Sequence, residues 1–274
     1  MMRKDFIAFK QYYREAVAKV PADAFYRQTI NHKFKHSIEV LHIGQTILNE
    51  TPELKNKSAT FKRRAEIALL FHDVGRFEEA ALQYADESQN KAVSATTNTY
   101  DHGLIGYNLL KENKKYNDHR ILFALKWHGK TTSAVKASAD WKEAEKRPDF
   151  NDLKQILFLV RDADKLANLY HIKTDNHLEK DLFYRQLTKE ALNAPLSPAV
   201  LDDFYQKSTV LFPHVYSFAD RVLMVISWIF DLNYETSKKI FKQNSYDTFL
   251  IKLLKKYHKN AADIAEIKQF IKNP

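Results

Sequence analysis

The chain has 274 residues, of which 45% are hydrophobic and 28% are charged, a balance typical of a folded globular protein and not of a disordered one. Only 5 glycines and 7 prolines are present, too few for the many tight turns of an all-β fold, so we expect an all-α protein. The formal net charge of +9 favours anionic ligands such as phosphates and nucleotides. Because the lysines are spread along the chain, nucleic acid is not an expected partner.

The absence of cysteine restricts the chemistry that a binding site can use. Disulfides and thiolate ligands are excluded, so any metal site must be built from His, Asp or Glu. No apolar signal segment follows the N-terminus, and the longest apolar stretch, residues 222–230, is too short to span a membrane. We therefore expect a cytoplasmic protein without a membrane partner.

Apolar residues recur at spacings of three and four along most of the chain, which predicts helices. The predicted helices cover 5–19, 23–50, 59–74, 101–113, 118–128, 151–172, 178–193, 198–210, 218–231, 234–242, 245–258 and 261–272. Gly75 is predicted to stop the 59–74 helix in the left-handed conformation. Residues 77–100 contain many small polar side chains and are predicted as a long loop over the substrate. We expect a single domain, with a core at about 25–172 and a helical extension at about 175–274.

A histidine and an aspartate, His72 and Asp73, follow the largely apolar run 65–71, which predicts a buried helix. Burying both groups is costly unless something pairs with them, and a divalent cation does so well. For an isolated pair, a capped helix end with a solvated aspartate is the simpler explanation. Four further stretches, however, place an acid or an imidazole inside an apolar helical pattern; they carry His36, His102, His128 and Asp164. Glycines close to these candidates suggest crowded backbones.

The order of these residues resembles the motif of a known family. His36, the His72-Asp73 dyad and Asp164 are similar in sequence order and helical context to the ligands of the HD-domain superfamily of metal-dependent phosphohydrolases. The resemblance covers roughly residues 25–170 and implies an HD-domain helical bundle around one metal centre. The Ala-Asp-Lys-Leu context at 163–166 favours Asp164 over Asp162 as the last ligand, although an ion pair of Asp164 with a neighbouring Arg161 or Lys165 is the alternative from the residues alone.

His102 and His128 match two further histidines found in the binuclear branch of that superfamily, which includes cyclic-nucleotide and cyclic-dinucleotide phosphodiesterases. The resemblance then implies that His36, His72, Asp73 and Asp164 hold one metal, and that Asp73 bridges to a second metal completed by His102 and His128. One or two divalent ions are expected, with Fe, Mn, Zn, Ni and Mg all open.

The implied activity is hydrolysis of a phosphomonoester or phosphodiester, expected to be a small-molecule nucleotide, by a metal-bound hydroxide. Asp73 and Arg76 are the expected catalytic residues, with Arg76 and Lys130 binding phosphate. Arg76 stands where the cyclic-dinucleotide enzymes carry lysine, and Gly129 stands where they carry a second histidine. Their Gly-Tyr-Pro signature is absent, which argues against their particular substrate.

Two other functions stay open at this point. The same six ligands occur in the di-iron oxygenases of the superfamily, so the ligand set does not fix the reaction. A non-catalytic helical module that binds a nucleotide or a protein, and keeps the metal for stability, is the second alternative. A homodimer is a further open option.

Overall fold

The computed structural model describes residues 3–89, 91 and 100–272. The described residues form helices and turns and contain no strand, which confirms the predicted all-α fold. The chain divides into two compact units, one up to Ala167 and the other from Asn168 onward. The single domain with a core and an extension stays a prediction. Within the described ranges, none of the helices combines the length and apolarity needed to cross a lipid bilayer.

The first unit contains the helices that surround the predicted site. They are α1 Arg3–Ala18, α2 Phe25–Glu50, α3 Pro52–Lys55, α4 Ala59–Phe71, α5 Val74–Ser88, α6 His102–Lys111, α7 His119–Trp127, α8 Thr132–Ala137, α9 Ala139–Ala144 and α10 Phe150–Asp175, the last of which continues into the second unit.

Helix α4 lies inside the first unit with its C-terminal half, because residues 65–71 are apolar and buried except for Glu66. The Ser58 hydroxyl caps its start by accepting from the Phe61 backbone N–H at 3.2 Å. Leu69, Leu70 and Phe71 in its last turn are fully buried. The helix packs on α1, α2 and α7, so the residues that follow Phe71 begin inside the protein and not at its surface.

The prediction of a loop over 77–100 is wrong for its first half. Helix α5 runs through Ser88, and its buried face is formed by Phe77, Ala80 and Ala81 at helical spacing. The small polar composition that suggested a loop begins only after this face has been completed. Of the remaining residues in that range, Asn90 and 92–99 lie outside the described residues, so the prediction of a cover for the substrate is not tested there.

Gly75 does not stop a helix, and that prediction is also wrong. It lies in the first turn of α5, and none of the glycines has a positive φ angle. The glycine is instead required by a close helix contact, since a Cβ at this position would overlap the carbonyl oxygen of His102 and lie 2.6 Å from the backbone nitrogen of Gly106. Gly75 therefore lets α5 approach α6.

The second unit contains shorter helices. They are α11 Leu182–Gln186, α12 Lys189–Asn193, α13 Pro198–Tyr205, α14 Phe218–Ser227, α15 Glu235–Gln243, α16 Tyr246–Tyr257 and α17 Ala261–Phe270, with single 3₁₀ turns at His177–Glu179, Phe212–His214 and Trp228–Asp231. The predicted helix 178–193 is thus interrupted. The predicted helix 198–210 ends early, because Lys207 adopts a left-handed φ of 52° two residues after the last helical residue.

Candidate metal centre

His72 and Asp73 form the short turn that joins two buried helices. Helix α4 ends at Phe71 and α5 begins at Val74, so both side chains are fixed by helices on either side. His72 is fully buried and Asp73 is 2% exposed. An imidazole and a carboxylate held this far from water need charged or polar partners.

Two distant helices bring partners to this turn. His36 lies in the middle of α2 and Asp164 lies in α10, and His36 Nε2 is 2.9 Å from Asp164 Oδ1. His72 Nε2 lies 3.5 Å from Asp73 Oδ2 and 3.7 Å from Asp164 Oδ1. We call these four residues the first half-site; one potential ligand atom from each lies within 4.8 Å of the others.

A second group shares Asp73 with the first. His102 is the first residue of α6 and His128 directly follows α7. The Nε2 atoms of His128 and His102 lie 3.3 and 3.7 Å from Asp73 Oδ1, and 3.3 Å from each other. We call Asp73, His102 and His128 the second half-site.

Asp73 therefore turns one oxygen toward each half-site. Its Oδ2 faces His72 at 3.5 Å and His36 at 3.7 Å, while its Oδ1 faces His128 and His102. A carboxylate between two sets of nitrogen donors is the arrangement expected of a ligand that bridges two cations. The six residues named from the sequence all lie in these two groups; their role as metal ligands stays a prediction.

The hydrogen bonds of two histidine rings show why a cation fits between the nitrogens and carboxylates of the centre. His72 Nδ1 and His128 Nδ1 each lie 2.8 Å from a backbone carbonyl oxygen, of Leu69 and Leu125 respectively, and a carbonyl can only accept. In each neutral ring the lone pair is consequently on Nε2, which points at carboxylate oxygens. The buried Nε2 of His72 makes no hydrogen bond to a described residue. Lone pairs facing one another are repulsive until a proton or a metal lies between them.

The pKa values follow the same electrostatics. Burial lowers the pKa of His36 to about 4, with the Lys33 ammonium acting in the same direction. Burial also acts to lower the pKa of His72, but the carboxylates of Asp73 and Asp164 outweigh it and raise that pKa to about 9. Burial opposes ionisation of Asp73, yet the charges of Lys33 and His72 hold its pKa well below the usual range. The first half-site thus keeps its carboxylates ionised and ready to bind a cation.

Two cationic side chains lie beside Asp73, one for each of its oxygens. Lys33 Nζ donates to Oδ2 at 2.8 Å. Arg76 Nε lies 3.8 Å from Oδ1, and Arg76 Nη1 donates to Glu79 Oε2 at 2.6 Å. Lys130, the second predicted phosphate ligand, forms an ion pair with Asp101 at 2.8 Å.

Sequence reasoning missed three charged residues at this centre. Lys33 lies three residues before His36 on one helix, and Glu79 lies three residues after Arg76, so helical spacing was an available signal for both. Arg161 was considered only as a partner of Asp164. It donates to the carbonyl oxygen of His128 at 3.0 Å, and Asp164 is in contact with His36 and His72.

The comparison with known families agrees with this geometry. Residues 34–169 match the family model of the HD domain, a range that includes all six side chains of the two half-sites. No curated protein and no solved structure matches the chain.

Proposed function

Since the chain belongs to the HD-domain superfamily of metal-dependent phosphohydrolases, we propose that it hydrolyses a phosphomonoester or phosphodiester, with a nucleotide as its substrate. The observation that carries the proposal is the convergence of four imidazoles on the two oxygens of Asp73, with Nδ1 of His72 and of His128 held by backbone carbonyl oxygens and each Nε2 directed at a carboxylate. A site of this kind is suited to cations and to anionic ligands that the cations attract.

The ligand set narrows the choice of metal. Four nitrogen donors and two carboxylates suit Mn, Fe, Ni or Zn, whereas Mg prefers oxygen ligands and water. The first half-site would hold one cation and the second half-site another, with Asp73 common to both. When bound, such cations supply Lewis-acid stabilisation of phosphoryl oxygens and lower the pKa of water.

The side chains of the protein have two tasks around such cations. The carbonyl oxygens of Leu69 and Leu125 fix the ring orientations of His72 and His128, which keeps each Nε2 directed inward. Arg76, whose side chain is 31% exposed, can reach both Asp73 and solvent, so it can offset negative charge on a bound phosphoryl group.

The charge around the centre supports an anionic substrate. Lys33 and Arg76 lie on the two sides of Asp73, and the chain as a whole carries a formal charge of +9. Lys130 contributes to phosphate binding in this proposal only when a substrate competes with Asp101 for its ammonium group.

The test uses the full chain, stripped of metal and reloaded separately with Mn, Fe or Zn under anaerobic conditions. We expect two metal equivalents per chain and release of phosphate or a nucleoside from aryl phosphate esters and a nucleotide panel. His72→Ala and Asp73→Asn should abolish turnover while the protein stays folded. His42→Ala is the matched control, because this histidine lies on α2 but is exposed.

The same experiment separates the alternatives. Turnover without oxygen excludes an oxygenase as the source of the activity. Oxygen uptake by the iron-loaded protein, together with no ester hydrolysis under any metal, would replace the hydrolase proposal. Binding of nucleotides with no turnover by the metal-loaded protein would favour a non-catalytic module.

A further inference from the structure

We propose that Glu79 is a positioning residue that holds Arg76 against the second half-site and so leaves one edge of its guanidinium free to bind an anionic oxygen of the substrate. The proposal rests on the proposed function, because it assumes that the centre receives a phosphorylated ligand. It concerns a residue that belongs to neither half-site.

The contact between Glu79 and Arg76 is short and protected from water. The two residues lie one turn apart on α5, and Arg76 Nη1 donates to Glu79 Oε2 at 2.6 Å. The Glu79 side chain is 4% exposed, whereas that of Arg76 is 31% exposed. The carboxylate is thus the buried anchor of the pair, and the guanidinium is the part that reaches outward.

Glu79 is incompletely paired for a buried carboxylate. Its Oε1 is buried and makes no hydrogen bond to a described residue. A buried carboxylate with one unsatisfied oxygen costs stability, and replacement by an apolar side chain is often tolerated or favourable when a pair has only a structural role. Among the described residues Glu79 makes its one polar contact with Arg76, so we look for the role of Glu79 in what Arg76 does.

The free edge of Arg76 is directed at the second half-site. Glu79 occupies Nη1, while Nε is buried, makes no hydrogen bond to a described residue and lies 3.8 Å from Asp73 Oδ1. That oxygen is the one that faces His128 and His102. The Nε and Nη2 groups form the parallel pair of donors that suits two oxygens of one phosphoryl group.

Metal binding makes the anchor necessary. Without cations, Arg76 lies between two carboxylates, Glu79 and Asp73, and both attract it. Cations that bind Asp73 would neutralise that carboxylate and repel the guanidinium. Glu79 is then the anionic group that keeps Arg76 at the edge of the half-site when a substrate arrives.

The test measures binding of inorganic phosphate to the Mn-loaded full-length protein by calorimetry, with kinetics on an aryl phosphate as a second readout. We expect Glu79→Gln to weaken phosphate binding about tenfold and Glu79→Ala to weaken it further. In the kinetics, each substitution should raise KM for the aryl phosphate more than it lowers kcat. Glu78→Gln is the matched control, since it is the neighbouring residue and pairs with Lys19 at the surface; it should bind phosphate normally.

A double-mutant cycle decides whether Glu79 acts through Arg76. In an Arg76→Met background, Glu79→Gln should cause no further loss of phosphate affinity. An equal loss with and without Arg76 would overturn the proposal, and so would normal phosphate binding by Glu79→Gln or no phosphate binding by the unaltered protein. Mn stoichiometry and circular dichroism of each variant confirm folding, and Glu79→Gln preserves shape if Glu79→Ala does not fold.

The role of Glu79 in phosphate binding and the proposed hydrolysis can be tested independently. If the unaltered protein binds phosphate and depends on Glu79 and Arg76 to do so, but cleaves no phosphate ester, the positioning role stands and the hydrolase assignment is wrong.

Discussion

Arg161 donates a 3.0 Å hydrogen bond from Nη1 to the backbone carbonyl oxygen of His128, and it also donates to the carbonyl of Lys130 and to Thr132 Oγ1. Arg161 is 2% exposed and lies on α10, three residues before Asp164. One helix thus supplies a side chain to the first half-site and fixes the segment that carries His128 in the second. The two half-sites are mechanically connected through α10.

Replacing Arg161 by Met should lower both the free energy of unfolding and the metal affinity of the second half-site. The buried carbonyl oxygen of His128 and the partly buried one of Lys130 would lose a donor, so we expect about 3–5 kcal/mol less stability in urea unfolding of the metal-free protein. Release of the His128 segment should lower the affinity for the second Mn ion roughly 10–100-fold. Arg147→Met is the control, because Arg147 is an exposed arginine paired with Asp149, and it should change stability by less than about 1 kcal/mol. Unchanged Mn titrations in Arg161→Met would contradict the connection.

Gly75→Ala tests the close contact between α5 and α6. The added methyl group would overlap the carbonyl oxygen of His102, and backbone cannot rotate away as a side chain can. We expect the free energy of unfolding, measured by heat or urea, to fall by about 1–3 kcal/mol. The second metal should also bind more weakly, since His102 must shift. Gly106→Ala is the matched control, because a Cβ there has its nearest neighbours at 3.4 Å. Equal destabilisation by both substitutions would argue against the special role of Gly75.

The candidate site was accessible from the sequence because its members interrupt apolar helices. His36, His72 and Asp164 each stand where periodicity predicts a buried position; the two histidines are fully buried and the Asp164 side chain is 19% exposed. A buried imidazole or carboxylate needs a partner. The structure places them together, as the resemblance implied. The local pattern named these residues as candidates, and the resemblance of their order to the HD-domain motif joined them into one site.

The remaining features depend on contacts between distant elements. The role of Gly75 is set by the backbone of α6, and that of Arg161 by carbonyl groups more than thirty residues away. Local propensity could not reveal either. Helix α5 was missed for a different reason. Its C-terminal part is as polar as the residues that follow it, so composition alone did not show where the helix ends.

Metal binding at the first half-site should release one proton near neutral pH. In the metal-free protein the pKa of His72 is raised to about 9, so this ring is charged at pH 7, whereas the pKa of His36 is about 4 and that ring is already neutral. Mn affinity should therefore rise about tenfold per pH unit between pH 7 and 9 and level off above 9. Calorimetry in buffers of different ionisation enthalpy counts the proton directly.

The same shift predicts the opposite trend for the metal-free fold. A histidine whose pKa is raised on folding contributes stability that is complete below its unfolded value of about 6.5 and is lost as pH rises toward 9. Metal-free protein should thus become less stable in urea from pH 7 to 9 while the metal-loaded protein does not. Mn affinity that is independent of pH across this range would show that His72 is neutral before the metal binds.

Lys33→Met should strengthen metal binding and weaken phosphate binding. The Lys33 ammonium donates to Asp73 Oδ2 at 2.8 Å, so it competes with a cation for that oxygen and repels any cation bound beside it. Removing its charge should raise the affinity of the first half-site for Mn roughly tenfold, while inorganic phosphate, which Lys33 attracts, should bind the Mn-loaded protein several-fold more weakly. Lys35→Met on the same helix is the control, because Lys35 is exposed. Weaker Mn binding in Lys33→Met would mean that the lysine orients Asp73 for the metal, and the competition argued from the 2.8 Å contact would then be wrong.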